Sequence, residues 1–127
     1  MKKILIVEDD YDIGEIVEMT LSTEYQVLVK RDSERLTEVL KQYVPDVILM
    51  DNHVGRKDAK EMIEEINSGG FNLTVPIVLF SAHNDIEAIA AQIGATGYLA
   101  KPFNLDDLHQ CVSSILLSAE QQQYSNR

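Results

Sequence analysis

The sequence predicts a doubly wound α/β sandwich, in which five βα units build a parallel sheet with helices on both faces. Three observations carry this prediction. Short apolar, β-like runs alternate with helical patterns five times along the chain. Two of those runs, Ile4-Leu5-Ile6-Val7 and Val47-Ile48-Leu49-Met50, are unbroken, as expected of central strands covered on both faces. Turn and capping residues also punctuate the boundaries. Right-handed crossovers leave few topologies for such a chain, and the expected strand order is 2-1-3-4-5.

In order along the chain, strands are expected over residues 4–7, 25–29, 46–50, 75–80 and 97–100. Apolar residues at helical spacing fill the intervals. The first helix reads Ile13, Ile16, Val17, Thr20, Leu21, and the second Leu36, Val39, Leu40, Tyr43. The third reads Ala59, Met62, Ile63, Ile66; the fourth, Ile86, Ile89, Ala90, Ile93; the fifth, Leu105, Leu108, Val112, Ile115, Leu116. Asn84 with Glu87, and Asn104 with Asp107, have N-cap spacing for the last two helices. Gly69-Gly70 and Gly94 stop the third and fourth. Pro45 and Pro76 fall where strands begin, a place that tolerates a missing amide donor. One domain over 1–119 is expected, with a polar, Gln-rich tail over 120–127 that frays.

Composition bounds the function. With 127 residues and 45% hydrophobic content the chain supports one ordinary core. The single cysteine, Cys111, excludes an internal disulfide framework and suits a reducing compartment. The apolar run after Met1-Lys2-Lys3 ends at Glu8, too soon for a signal peptide, and no run approaches the length of a membrane span. A cytoplasmic protein is therefore expected. Eleven basic against 21 acidic residues give a net charge of −10, which argues against direct nucleic-acid binding.

Ligands of doubly wound sheets bind beyond the carboxyl ends of the strands, near the switch between strands 1 and 3. Reading the residues there gives Glu8-Asp9-Asp10 after the first strand, Asp51 after the third, Ser81 after the fourth and Lys101 after the fifth. These converge on one crevice. Two carboxylates about 4 Å apart repel by roughly 4 kcal/mol at an effective dielectric near 20. They must hold a proton or a cation, and Mg²⁺ (or Mn²⁺) is the natural oxygen-liking choice. A carboxylate nucleophile, a divalent ion and a lysine together suit phosphoryl transfer.

Four pieces of sequence resemble a known family. They are Ile4-Leu5-Ile6-Val7-Glu8-Asp9-Asp10, Pro45-Asp46-Val47-Ile48-Leu49-Met50-Asp51, Leu79-Phe80-Ser81-Ala82 and Gly94-Ala95-Thr96-Gly97-Tyr98-Leu99-Ala100-Lys101-Pro102-Phe103. In this order, over nearly the whole chain, they resemble a response-regulator receiver domain, the CheY-like phosphorylated partner of sensor histidine kinases. The resemblance implies a flavodoxin-like (βα)₅ fold, and a phospho-acceptor module rather than an enzyme in the usual sense. Asp51 would be the acceptor. Glu8 and Asp9 would be the acidic metal pair, with Asp9 the direct ligand and Glu8 acting through water. Asp10 holds a more variable position and ranks below them. Asp51 and the backbone carbonyl of His53 would supply further metal oxygens. Ser81, the amide of Ala82 and Lys101 would engage the phosphoryl group, and Tyr98 would be the aromatic switch. Lys101-Pro102 resembles the family's cis peptide. Expected partners are a histidine kinase or phosphotransfer protein and an unidentified output target. Homodimerisation through the fourth- and fifth-helix face is a further expectation.

The chain departs from the family after the acceptor. In place of Met-Pro and a following Asp-Gly it has Val54-Gly55-Arg56-Lys57-Asp58-Ala59, which predicts a looser loop. His53 and His83 lie two residues after Asp51 and Ser81, positions that influence phosphate lifetime in the family. They lack the third soft ligand of a zinc site. Rival classes fit less well. An Asp-nucleophile hydrolase needs a cap segment, and a flavin carrier needs a Gly/Ser/Thr phosphate loop where this chain has three acids. A receiver with vestigial phosphorylation differs only in failing to be labelled.

Overall fold

The computed structural model describes residues 1–125, with side chains through Gln121. Its strands are β1 (Lys3–Val7), β2 (Gln26–Lys30), β3 (Val47–Asp51), β4 (His53–Val54), β5 (Lys57–Asp58), β6 (Ile77–Ser81) and β7 (Gly97–Ala100). The helices are α1 (Tyr11–Leu21), α2 (Leu36–Tyr43), α3 (Ala59–Ser68), α4 (Ile86–Ile93) and α5 (Leu105–Ser125). Five parallel strands pair in the order β2-β1-β3-β6-β7, which is the expected 2-1-3-4-5 once the small β4–β5 hairpin is set aside.

Period-two alternation divides the strands between two cores. Leu5, Val7, Ile48, Met50, Ile77 and Leu79 face one side and pack with α2, α3 and α4 through Leu36, Leu40, Met62, Ile66 and Ile86. Ile4, Ile6, Val47, Leu49, Val78 and Phe80 face the other and meet α1 and α5 through Val17, Leu21, Leu108 and Val112. The unbroken runs are thus buried on both faces, and β1 and β3 lie inside the sheet. Phe80 stacks obliquely on Phe103, with ring centres 5.2 Å apart, and ties β6 to the segment entering α5.

Several local expectations are corrected. Ile16 and Leu105 sit at apolar helical spacing, yet both are exposed. On α1 the buried positions are Gly14, Val17 and Leu21. A Cβ at Gly14 would lie 2.9 Å from the Arg31 guanidinium, which packs over the Tyr11 ring. Asn84 does not cap α4; Asp85 holds that position and makes no side-chain bond to the helix. Asn104 does cap α5, accepting from the Asp107 amide at 2.7 Å. The segment after Asp51 is a tight antiparallel hairpin rather than a loose loop, with Gly55 at φ +64° in its turn. α3 then starts cleanly, because Asp58 accepts from the Glu61 amide at 2.8 Å. Helix α5 continues to Ser125, well past the expected start of the tail. The last two tail positions lie outside the described residues.

Strain concentrates around α2. Val44, 58% exposed, closes that helix at φ 48° and ψ 70°. A β-branched side chain in the left-handed region costs on the order of 1–2 kcal/mol. Val44→Asn is therefore expected to stabilise the protein by about 1 kcal/mol, raising Tm by about 3–5 °C. Thermal and urea unfolding check this, and an unchanged or lower midpoint would show the conformation to be unstrained.

Candidate functional site

Sheet register builds the site. Val7 pairs with Met50, so the residues one step on, Glu8 and Asp51, emerge side by side at the carboxyl edge. Asp51 pairs with Phe80, and Ser81 with Ala100. Asp51 and Ser81 are the last residues of their strands rather than the first beyond them, so their backbones are held in the ladder. Lys101 follows β7 directly, and its amide donates to the Ser81 carbonyl at 2.8 Å. The Lys101-Pro102 bond is cis, as the sequence led us to expect.

The side chains converge as the register requires. The Lys101 ammonium donates to Glu8 Oε1 at 2.8 Å and to Asp51 Oδ2 at 3.1 Å. Glu8 is completely buried, whereas Asp51 and Lys101 are partly buried. Burial, chiefly, pushes the Glu8 carboxyl up to about 7; a hydrogen bond with Asp51 adds to this and the bond from Lys101 opposes it. For Lys101, burial works against the charge, but the bonds to Glu8 and Asp51 outweigh it and raise the ammonium above its ordinary value. Carboxylate oxygens of Glu8, Asp9 and Asp51 all lie within 4.8 Å of one another. One ammonium therefore serves a cluster of three carboxylates. Such a set of hard oxygen donors suits a Mg²⁺-sized cation and offers nothing to a soft metal.

Asp10 is drawn elsewhere: its carboxylate caps α1, accepting from the Ile13 amide at 3.0 Å. Ser81 is buried, and its Oγ accepts from the His83 amide at 3.0 Å. His53 and His83 are exposed and line one cleft of about 250 Å³ with Asn52, Asp58, Lys60 and Ile89. Ala82 is exposed beside Ser81. Tyr98 stands 42% exposed over a separate groove of about 410 Å³, lined by Ala90, Ala91, Cys111 and Ile115 between α4 and α5.

Two contributors escaped the sequence reading. The Gly55 amide donates to Asp9 Oδ2 at 2.9 Å, so the hairpin positions one of the three carboxylates. Its signal was a lone glycine among polar residues in a loop, which marks a turn but not its contact. Asn52 is buried beside the acceptor; its amide donates to the Phe80 carbonyl and its own carbonyl accepts from Ala59. It fastens both ends of the crossing from β3 toward α3, and nothing in its residue type announces that.

Comparison with known proteins agrees with this geometry. A family model described as the response regulator receiver domain matches residues 4–113. The transcriptional regulatory protein KdpE of Staphylococcus aureus is 33% identical over 98% of this chain and 54% of its own length. The regulatory protein VirG of Agrobacterium fabrum is 32% identical over 81% of the chain and 41% of its own length. The chain thus spans about half the length of the curated relatives it matches. Among solved structures, the N-terminal domain of the nisin resistance regulator NsrR superposes with a TM-score of 0.80 at 30% identity, covering 91% of this chain and 98% of that one. A response regulator from Chloroflexus aurantiacus gives the same figures. An acidic cluster at the switch point of a 2-1-3-4-5 sheet, a lysine bridging it after the last strand, and a family match over most of the sequence meet in one conclusion: the chain belongs to the response regulator receiver domains.

Proposed function

We propose that Asp51 accepts a phosphoryl group from the phosphohistidine of a sensor histidine kinase or phosphotransfer protein, and that this changes the surface offered to an output partner. The observation that carries the reading is the Lys101 ammonium held between Asp51 and the fully buried Glu8, with Asp9 alongside. An Asp51 oxygen attacks phosphorus, an O–P bond forms, and the donor's N–P bond breaks with its electrons returning to the imidazole. Glu8, Asp9, Asp51 and the His53 carbonyl would hold Mg²⁺ (or Mn²⁺), with Asp10 a weaker candidate because it is engaged as a cap. When bound, the ion supplies positive charge against the transferred oxygens. Lys101 contributes the same from the protein side.

After transfer, the added charge and acceptor oxygens recruit donors. The Ser81 hydroxyl already accepts from His83, which leaves its proton to donate to the phosphoryl group. The Ala82 amide and Lys101 complete the set. Moving Ser81 toward Asp51 frees space at the ends of β6 and β7, and Tyr98 turns into it, reshaping the α4–α5 groove. Donor docking falls against α1, which leaves Tyr11, Ile16 and Met19 exposed. Homodimerisation through α4 and α5 would be opposed by charge. Among the described residues after Lys60, Lys101 is the one lysine or arginine, while Asp85, Glu87, Asp106 and Asp107 are acidic. Self-association there should strengthen with added salt.

The test is incubation with acetyl phosphate, with and without Mg²⁺, read as intact mass. A labile gain of one phosphoryl group that requires the metal is expected. If neither acetyl phosphate nor phosphohistidine donors label the protein, the phosphorylation reading fails and a binding module remains. His53 and His83 line one cleft with Asn52, the residue after the acceptor, and alanine at both positions is expected to change the rate at which the label is lost several-fold. An unchanged decay rate would remove the pair from any role in phosphate lifetime.

A further inference from the structure

Four amide donors at the start of every helix lack intrahelical partners. In α1, α3 and α5 a side chain supplies one acceptor: Asp10 to Ile13, Asp58 to Glu61 and Asn104 to Asp107. Helix α4 departs from this pattern, because Asp85, at its cap position, makes no side-chain bond to the helix. The acceptors come instead from two residues upstream. His83 Nδ1 accepts from the Asp85 amide at 3.0 Å, and the His83 carbonyl accepts from the Ile86 amide at 3.3 Å. The His83 amide in turn donates to Ser81 Oγ at 3.0 Å. A single residue thus carries three consecutive hydrogen bonds between the hydroxyl at the end of β6 and the first turn of α4.

We propose that His83 is the positioning residue that couples Ser81 to α4, its imidazole acting as the N-terminal cap that Asp85 does not provide. An accepting Nδ1 requires the neutral ring with its proton on Nε2. Ser81 Oγ is bonded to the His83 amide, so a hydroxyl that turns toward the Asp51 phosphoryl group draws the 81–85 turn with it. The imidazole passes that displacement to the Asp85 amide and hence to α4. The cap stands without phosphorylation; its use in signalling rests on the function proposed above.

Two substitutions separate the acceptor from the bulk of the ring. Asn Oδ1 lies as many bonds from the backbone as His Nδ1 and can accept from the amide two residues on. Leu places a methyl group there and accepts nothing. Amide hydrogen exchange at Asp85 and Ile86, followed by NMR in the full chain, is the readout. His83→Leu is expected to exchange about five- to tenfold faster than wild type, with His83→Asn restored to near the wild-type rate. A leucine variant that exchanges at the wild-type rate, or leucine and asparagine variants equally fast, would overturn the cap. A second arm adds beryllium fluoride with Mg²⁺ as a stable mimic of the aspartyl phosphate. Wild type and His83→Asn should then shift α4 exchange, whereas His83→Leu should not. If wild-type α4 ignores the mimic, or His83→Leu responds as wild type does, the signalling half is overturned, and the first comparison still decides the cap.

Discussion

Asp51→Asn is expected to abolish the Mg²⁺-dependent gain of a phosphoryl group and also to make the metal-free protein more stable. The first effect follows from chemistry, since an amide oxygen is a poor nucleophile and cannot become an acyl phosphate. The second follows from the charges. Glu8, Asp9 and Asp51 bring carboxylate oxygens within 4.8 Å of one another, and the one ammonium bonded within the cluster belongs to Lys101. At that spacing each repulsion is worth roughly 3 kcal/mol at an effective dielectric near 20. At pH 8, where Glu8 is ionised, removing the charge of Asp51 relieves two repulsions and sacrifices one attraction, and solvent at the exposed Asp9 screens part of the gain. A net stabilisation of about 1–2 kcal/mol remains, visible as a rise of a few degrees in Tm without Mg²⁺. Saturating Mg²⁺ should shrink the difference, because the cation offsets in wild type what the amide offsets in the variant. A destabilised Asp51→Asn protein would mean that its bond to Lys101 outweighs both repulsions. Any Asp51→Asn protein that still gains the phosphoryl group would place the acceptor elsewhere.

The cost of the unphosphorylated cluster bears on how much of this site could be read from the sequence. Unbroken apolar runs at Ile4 to Val7 and Val47 to Met50, alternating with helical patterns, suited strands buried on both faces and so placed them at the centre of the sheet. Once β1 and β3 are neighbours, period-two register forces Glu8 and Asp51 together, so the acidic cluster was legible as soon as the topology was. Lys101 was legible as a cation aimed at the same crevice. Its bond to Glu8 was not, because choosing between two carboxylates depends on side-chain reach and on the complete burial of Glu8. Local features failed where composition is degenerate. Helical spacing counted Ile16 and Leu105 as inward, although both lie at the edge of the apolar stripe, where one residue of phase decides exposure. Asn84 looked like a cap by residue type, but the turn after Ser81 runs one residue further, and His83 takes the capping role by a contact that no sequence rule anticipates. The hairpin after Asp51 was read as looseness from Gly55; the same glycine supplies the positive φ that closes the turn and the amide that fixes Asp9.

Glu8 makes Mg²⁺ binding depend on pH in a way that isolates its role. Its folded-state value is raised from 4.5 to about 7, so the folded protein holds this proton more tightly than the unfolded chain does. The resulting contribution to stability is complete below about pH 4.5, declines as the pH rises between 4.5 and 7, and is absent above; its full size is about 3 kcal/mol. A cation entering the cluster must displace the same proton. Apparent Mg²⁺ affinity should therefore climb about tenfold per pH unit up to pH 7 and level off above it. Calorimetry in buffers of different ionisation enthalpy should show close to one proton released per ion at pH 6 and almost none at pH 8. Glu8→Gln cannot hold that proton. It should bind Mg²⁺ more weakly at pH 8, with affinity nearly flat from pH 6 to 8, and it should lose the decline in metal-free stability between pH 4.5 and 7. A wild-type affinity already flat from pH 6 to 8 would mean that Lys101, bonded to Glu8 at 2.8 Å, keeps the carboxylate ionised throughout despite its burial. Coulomb attraction would then outweigh desolvation in this pair, and the ion would enter a cluster carrying its full negative charge.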